Sequence, residues 1–329
     1  MNEMDQVIRI FPQKLRELLR RARTEEFPAQ ELRLRVGRPL LMTADGREWV
    51  LDSDQGRWMC AEGGEKSRHY LVSGQDIRDT LEYMSRYSLY AFDEELRQGF
   101  LTAAGGHRIG LTGQAVLEAG SVKTLRNISS LNIRVARQVK GCAAKVLPWL
   151  YREGELCSSL IISPPGCGKT TLLRDLIRQV SDGWGDLQNV VPGITVGVVD
   201  ERSELGACLL GVPQNDLGTR TDVLDGCPKA EGMMMLIRSM APGVVAVDEI
   251  GSREDMEALR YGINCGCRLL ATVHGSSYEE ICRKPVLNEL AESGVFERYV
   301  ILTKKNRPGQ VKEILNGRGE VIARGGKDW

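Results

Sequence analysis

The rhythm of apolar positions changes near residue 140. Before that point, short helical and alternating patterns interleave. Phe11, Leu15, Leu18 and Leu19 share one helical face, which predicts an amphipathic helix over 11–23 with Arg20, Arg21 and Arg23 on its outer side. Residues 31–43 alternate and break at Gly37, Arg38 and Pro39, as a hairpin does. Further strands are expected at 49–51 and 57–59. Ile77, Leu81 and Met84 mark a second helix, with Ser73 or Asp76 as its N-cap. Tyr83, Tyr87, Tyr90 and Phe92 read as core or interface aromatics. From 99 to 135, short apolar stretches separated by glycines predict a small antiparallel sheet. Residues 1–140 are therefore expected to form an α+β domain.

After residue 140 the apolar stretches become continuous. Residues 160–162, 193–199, 243–247 and 268–273 suit strands covered on both faces. Helices are expected over 143–151, 170–180, 229–240 and 252–264, the last capped by Ser252 with Glu254 and Asp255 in its first turn. Met233, Met234, Met235 and Met240 read as core. Residues 181–189 read as a polar connection and 210–227 as irregular. Two short helices up to 292 precede late strands at 296–302 and 310–315, joined by a turn at 304–309. Strands alternating with helices predict an α/β domain over 141–329, with a mostly parallel sheet and its sites at the strand C-termini.

Composition narrows the function classes. The 329 residues are 42% hydrophobic and 27% charged, and Lys plus Arg equals Asp plus Glu at 44 each. A zero net charge weighs against a dedicated nucleic-acid binder. Nine dispersed cysteines without a CxxC pair, and three histidines, argue against a Cys/His metal site and suit a reducing compartment. The charged N-terminus is not a signal peptide, and no apolar run approaches the ~18 residues of a bilayer span, so no direct membrane span is expected.

The chemistry gathers at strand ends. Residues 160–175 read LIISPPGCGKTTLLRD: a strand, a glycine-bearing loop, then a helix. Ser163, Pro164, Pro165, Gly166, Cys167, Gly168, Lys169, Thr170 and Thr171 form a phosphate-binding loop. Its amides and the helix N-terminus face an anion, Lys169 reaches the outer phosphates, and Thr170 reaches Mg²⁺. Ser163 stands where this motif has its first glycine. The bland alternative is a glycine-rich turn with an incidental lysine. Asp248 follows an apolar strand and suits Mg²⁺ opposite Thr170, while Glu249 is placed to polarise the attacking water. A helix-capping acidic pair is the competing reading. Glu201 is a second catalytic carboxylate, or else an ion pair with Arg202. His274 either senses the γ-phosphate or is a satisfied histidine. Arg220, Arg238 and Arg253 are weaker candidates for phosphate or subunit contacts.

Residues 166–175, 199–205, 245–251 and 83–91 resemble the stage III sporulation protein AA family, which is similar to type II and type IV secretion and pilus-retraction ATPases. The resemblance spans nearly the whole chain. Asp200 and Glu201 match the relatives' acidic box, and residues 271–275 match their histidine box. Asp248 departs from their usual Gly-Glu and is closer to the general ATPase pattern. The resemblance implies a homo-hexamer in which Arg108, Arg134 and Arg137 reach the neighbouring subunit's nucleotide. It also raises Glu201 and His274 as catalytic residues.

The expected function is thus a Mg-dependent, RecA-like P-loop ATP hydrolase. By resemblance it powers the channel between mother cell and forespore. It would be cytoplasmic and peripheral, bound to an inner-membrane partner. A nucleic-acid translocase on the same fold and a nucleotide-dependent scaffold with low turnover are the alternatives.

Overall fold

The computed structural model describes residues 3–22, 29–54, 56–62, 68–84, 97, 99–185, 190–304 and 309–326. The chain divides into two compact units, Met1–Arg137 and Gln138–Trp329.

The first unit opens with α1 (Glu3–Arg9) and α2 (Gln13–Arg21) where one helix over 11–23 was expected. Pro12 makes the break. It disfavours helical backbone at Phe11 and then serves as the N-cap of α2 with ψ of 161°. Leu15 and Leu19 are buried, and Arg20 and Arg21 are exposed. Arg23 lies outside the described residues.

One antiparallel sheet follows. Its strands are β1 (Ala29–Arg35), β2 (Leu41–Ala44), β3 (Arg47–Leu51), β4 (Trp58–Cys60), β5 (Phe100–Ala103), β6 (His107–Glu118) and β7 (Ser121–Arg134). Their order is β4-β3-β2-β1-β7-β6-β5. Leu32, Leu34, Met42, Ile109 and Ile133 are fully buried, while the residues between them along each strand are more open. This is the period-two signature of a sheet with one covered face.

α3 (Gly74–Met84) packs against β7. Ser73, not Asp76, is its cap: Asp76 N–H donates to Ser73 Oγ at 3.1 Å, and Ser73 N–H donates to Asp76 Oδ2 at 2.8 Å. Asp76 thus completes a reciprocal capping box. Tyr83 is exposed, with the Arg16 guanidinium 4.9 Å from its ring centroid, so it is not core. Tyr87, Tyr90 and Phe92 lie outside the described residues.

The separate stretches expected between 107 and 135 are two long strands. Their ladder shifts between Thr112 and Gln114, where a Cβ on Gly113 would stand 2.7 Å from the Arg126 carbonyl oxygen. Beyond that bulge the hairpin is mostly open to solvent, with Leu117 and Val122 exposed.

The second unit begins with turns and a short 3₁₀ helix, Leu147–Leu150, in place of the helix expected over 143–151. Pro148 in its first turn removes a helical N–H, and β8 (Tyr151–Arg152) immediately pairs with β9 (Glu155–Leu156).

β10 (Ser159–Ser163) leads through the glycine loop into α4 (Lys169–Asp182). Within the polar stretch 181–189, Gly183–Gly185 (β11) pairs with Val190–Pro192 (β12), and residues 186–189 lie outside the description. β13 (Val196–Asp200) pairs in parallel with β14 (Thr221–Asp225). β14 corrects the irregular reading of 210–227. It is an edge strand that keeps Asp222 exposed and Asp225 partly buried, so no apolar run marks it.

α5 (Lys229–Met240), β15 (Val244–Val247), α6 (Arg253–Asn264) and β16 (Arg268–His274) follow. Met233 of α5 is buried and Met234 partly so. Met235 and Met240 are exposed and do not belong to the core. Ser252 and Asp255 form a capping box on α6. The chain continues through α7 (Tyr278–Arg283), α8 (Pro285–Glu292), β17 (Arg298–Thr303), β18 (Gln310–Asn316) and β19 (Val321–Arg324). Of the turn expected at 304–309, residues 305–308 lie outside the description.

The eight strands form a mixed sheet in the order β14-β13-β15-β16-β10-β17-β18-β19. Neighbours from β14 through β17 are parallel, and the β17-β18-β19 edge is antiparallel. Successive strand residues enter opposite layers. Leu160, Ile162, Val245 and Val247 join Met233 of α5 and Met256 and Leu259 of α6. Ile161, Val196, Val198 and Val244 join Leu172, Leu173 and Leu176 of α4. Coverage on both faces is why these strands read as unbroken apolar runs.

Candidate functional site

Four parallel neighbours, β13, β15, β16 and β10, end on one edge of the sheet. Ser163 and His274 are register partners at that edge. The buried middles of these strands are apolar except at Thr272 of β16, and polar side chains gather where the strands end.

The loop from Ser163 to Thr171 is built by its backbone. Gly166 and Gly168 have φ of 71° and 84°, the left-handed region that glycine enters without strain. Gly168 caps α4 without any side-chain hydrogen bond, and no acidic residue occupies the first turn. Among the described residues no side chain caps the amides at this helix end, unlike those of α6, which suits an anion. Ser163 is fully buried and its hydroxyl donates to the Pro164 carbonyl at 2.9 Å. Its own carbonyl accepts Gly275 N–H at 3.2 Å. Cys167 is buried, and its carbonyl accepts Gly309 N–H at 2.7 Å. Pro165 is exposed, while Pro164 and Thr171 are half-buried.

Lys169 is the hub. Its ammonium lies 2.5 Å from Glu249 Oε1 and 2.8 Å from His274 Nε2, and its side chain is only 10% exposed. His274 Nε2 also contacts Glu249 Oε1. Arg202 Nη1 donates to the other Glu249 oxygen at 2.9 Å. Burial works against ionisation of Glu249, yet its bonds to Lys169 and His274 outweigh this and hold the carboxyl below its usual range. Glu249 adopts φ of 60°, rare for a residue with a Cβ.

Asp248 joins two hydroxyls. Thr170 Oγ1 donates to Oδ2 at 2.7 Å, and the Thr272 hydroxyl donates to Oδ1. Hydroxyl and carboxylate oxygens side by side are the hard donors that Mg²⁺ takes, with the remainder supplied by water and phosphate. The residues present therefore fit both groups, a polyphosphate at the uncapped helix end and Mg²⁺ at Thr170 and Asp248.

Glu201 has a different partner from the one its sequence neighbour suggests. It pairs with Lys229 of α5, while Arg202 turns to Glu249. Glu201, Arg202, Lys229, Asp248 and Glu249 line one cleft. Asp200 does not face this chemistry as a free carboxylate. It is buried and accepts N–H bonds from Glu204 at 2.9 Å and Gly206 at 2.7 Å. Burial pushes its carboxyl up, with Asp225 adding to the effect against these amides. Arg174 donates to the carbonyls of Glu204 and Leu205, fixing the same loop onto α4.

Other candidates lie elsewhere. Arg220 donates to the Ser181 carbonyl at 3.0 Å. Arg238 stacks over Tyr261 at 5.7 Å, and Arg253 is exposed at the start of α6. In the first unit, Arg108 and Arg134 are register partners across β6 and β7. Arg108 lies 3.7 Å from the Phe100 ring centroid, Arg134 pairs with Glu31 at 3.4 Å, and Arg137 donates to the Ala29 carbonyl at 3.1 Å. All three are exposed. Sequence reasoning missed Lys229 as a site residue, and the competing reading of Glu201 as an ion pair with Arg202 does not hold, since Arg202 pairs with Glu249. The β13–β14 pairing, which brings the start of α5 beside β13, discloses the first, and the β13–β15 pairing discloses the second.

A family model for sporulation stage III protein AA matches residues 1–322. The chain belongs to the stage III sporulation protein AA family. The stage III sporulation protein AA of Bacillus subtilis (strain 168) is 40% identical over 322 residues, covering 98% of each chain. Two solved structures share the fold with this family member at low identity. The Legionella pneumophila ATPase DotB aligns with a TM-score of 0.54 and 16% identity, over 93% of this chain and 81% of its own. The pilus retraction motor PilT with bound ADP aligns with a TM-score of 0.56 and 17% identity, over 86% and 76%. The chain thus shares its fold with the ATPase DotB and the pilus retraction motor PilT. No helix among the described residues is long and apolar enough to cross a membrane.

Proposed function

We propose that the second unit is a RecA-like P-loop domain that binds ATP with Mg²⁺ and hydrolyses it. The observation that carries this reading is the Thr170–Asp248 contact beside an uncapped helix N-terminus, with Lys169 and Glu249 adjoining. The loop from Ser163 to Thr171 binds the phosphates, and Lys169 neutralises the outer ones. Thr170 and Asp248 hold Mg²⁺, which supplies charge neutralisation between the phosphates when bound. Glu249 accepts a proton from, or orients, the attacking water. His274 and Glu201 border the reacting end of the site.

In the structure Lys169 is engaged by Glu249, so ATP must take the ammonium from the carboxylate as it binds. The same exchange frees Glu249 to hold water. This coupling favours slow turnover in the isolated chain, so a nucleotide-dependent scaffold is the second reading.

Membership of the sporulation family supports a motor role at the channel between mother cell and forespore. The working form is a homo-hexamer at the cytoplasmic face of an inner-membrane partner. Arg108, Arg134 and Arg137 of residues 1–140 complete a neighbour's site, and residues 141–329 hydrolyse. A nucleic-acid translocase is disfavoured by the zero net charge.

The decisive experiment measures mass in solution with and without ATP and Mg²⁺, and turnover on the same sample. Mg²⁺-dependent turnover with nucleotide-dependent assembly supports the reading. Lys169→Ala binding ATP like the parent would overturn the loop assignment, and stimulation by DNA or RNA would favour the translocase.

A further inference from the structure

β16 is apolar along its buried length except at one position. Thr272 is fully buried between Ala271 and Val273, in register with Ile161 of the central strand. Valine has the same shape and needs no partner there. A buried hydroxyl in such a strand is tolerated only where its hydrogen bonds are made.

Those bonds all go to one segment. The Thr272 hydroxyl donates to Asp248 Oδ1. The same oxygen accepts Glu249 N–H at 2.9 Å. The Thr272 carbonyl accepts Ile250 N–H at 2.9 Å. One residue of β16 therefore holds three successive residues beyond β15. Asp248 is fixed at both oxygens, by Thr170 and by Thr272. Glu249 is held at its backbone in the left-handed conformation that turns its side chain to Lys169.

We infer that Thr272 is the positioning residue that sets the Asp248 carboxylate for Mg²⁺ and the Glu249 carboxylate for water. This deepens the ATPase reading and rests on it. Thr272 touches neither Lys169 nor the glycine loop through its hydroxyl, so its loss acts on the metal and hydrolytic steps, not on phosphate capture.

Two variants of the full chain separate positioning from packing. Thr272→Val keeps the volume and loses the hydroxyl, whereas Thr272→Ser keeps the hydroxyl and loses a methyl. Turnover is measured against Mg²⁺ concentration, and binding of a fluorescent ATP analogue is measured in EDTA. Thr272→Val should bind the analogue as the parent does, while its half-saturating Mg²⁺ rises and kcat falls, each about tenfold or more. Thr272→Ser should restore both while lowering the thermal midpoint. Where valine is not accommodated, Thr272→Ala takes its place. Parent-like Mg²⁺ dependence and kcat in Thr272→Val, or equal damage in Thr272→Ser, would overturn the inference. A parent chain without Mg²⁺-dependent turnover overturns the ATPase reading and this inference with it.

Discussion

Lys169 and Glu249 meet at 2.5 Å across the ends of two elements that sequence separates by eighty positions. The ammonium at the start of α4 is neutralised by the carboxylate expected to activate water. On the proposed ATPase reading, phosphate and Glu249 compete for this one cation, which would link binding to catalysis.

Glu249→Gln should uncouple the two. Removing the charge removes the competitor for Lys169, so ATP affinity should rise. Turnover should fall by about 100-fold or more, because the group that takes or orients the water's proton is gone. Analogue binding and phosphate release on one preparation check both. Parent-rate hydrolysis by this variant is incompatible with the proposed role.

The exposed arginines of the first unit make a prediction about assemblies. Arg108→Ala, Arg134→Ala or Arg137→Ala should leave analogue binding intact and lower turnover, with the strongest acting on the order of 1,000-fold. Mixing such a variant with Lys169→Ala subunits should restore part of the activity, since each supplies what the other lacks. No recovery in any mixture would exclude action in trans.

Asp76 should make the stability of the first unit sensitive to acid. Burial opposes its charge, but bonds from Ser73 N–H and hydroxyl, Lys14 and Tyr70 hold its carboxyl below the usual value. A depressed folded value stabilises above the unfolded value of about 4, and the gain is lost as pH falls through the folded one. Asp76→Asn should cost about 1–3 kcal/mol at pH 7, and the gap should close on acidification. Denaturant titrations at the two pH values test this.

Gly232 tests the contact between α5 and β13. A Cβ there would stand 2.5 Å from Val199 Cγ1, with Cys227 Sγ and Leu224 Cδ2 at 3.3 Å. Alanine is a better helix former by about 1 kcal/mol, yet Gly232→Ala should destabilise by roughly 1–3 kcal/mol through overpacking. Val199→Ala in the same chain should recover much of the loss in thermal unfolding.

These residues also show what a sequence discloses. Strands β10, β13, β15 and β16 are visible because both faces are covered, so apolar runs end abruptly at Ser163, Asp200, Asp248 and His274. β14 is not visible, since an edge strand with two aspartates has no such run. Pro12 and Pro148 redirect helices that periodicity alone extends. Partner choice is least legible. Arg202 lies next to Glu201 in sequence, but successive strand-end side chains diverge. Glu201 reaches Lys229 only because β14 returns the chain to that edge. The bonds of Thr272 are likewise invisible until β15 and β16 are neighbours.

The glycine loop is fastened on both flanks by main-chain bonds, Gly275 N–H to the Ser163 carbonyl and Gly309 N–H to the Cys167 carbonyl. Neither fastener uses a side chain. The tie at residue 163 uses the main-chain carbonyl, which every residue type supplies. Ser163 therefore makes the same tie to Gly275 that a glycine at this position would make.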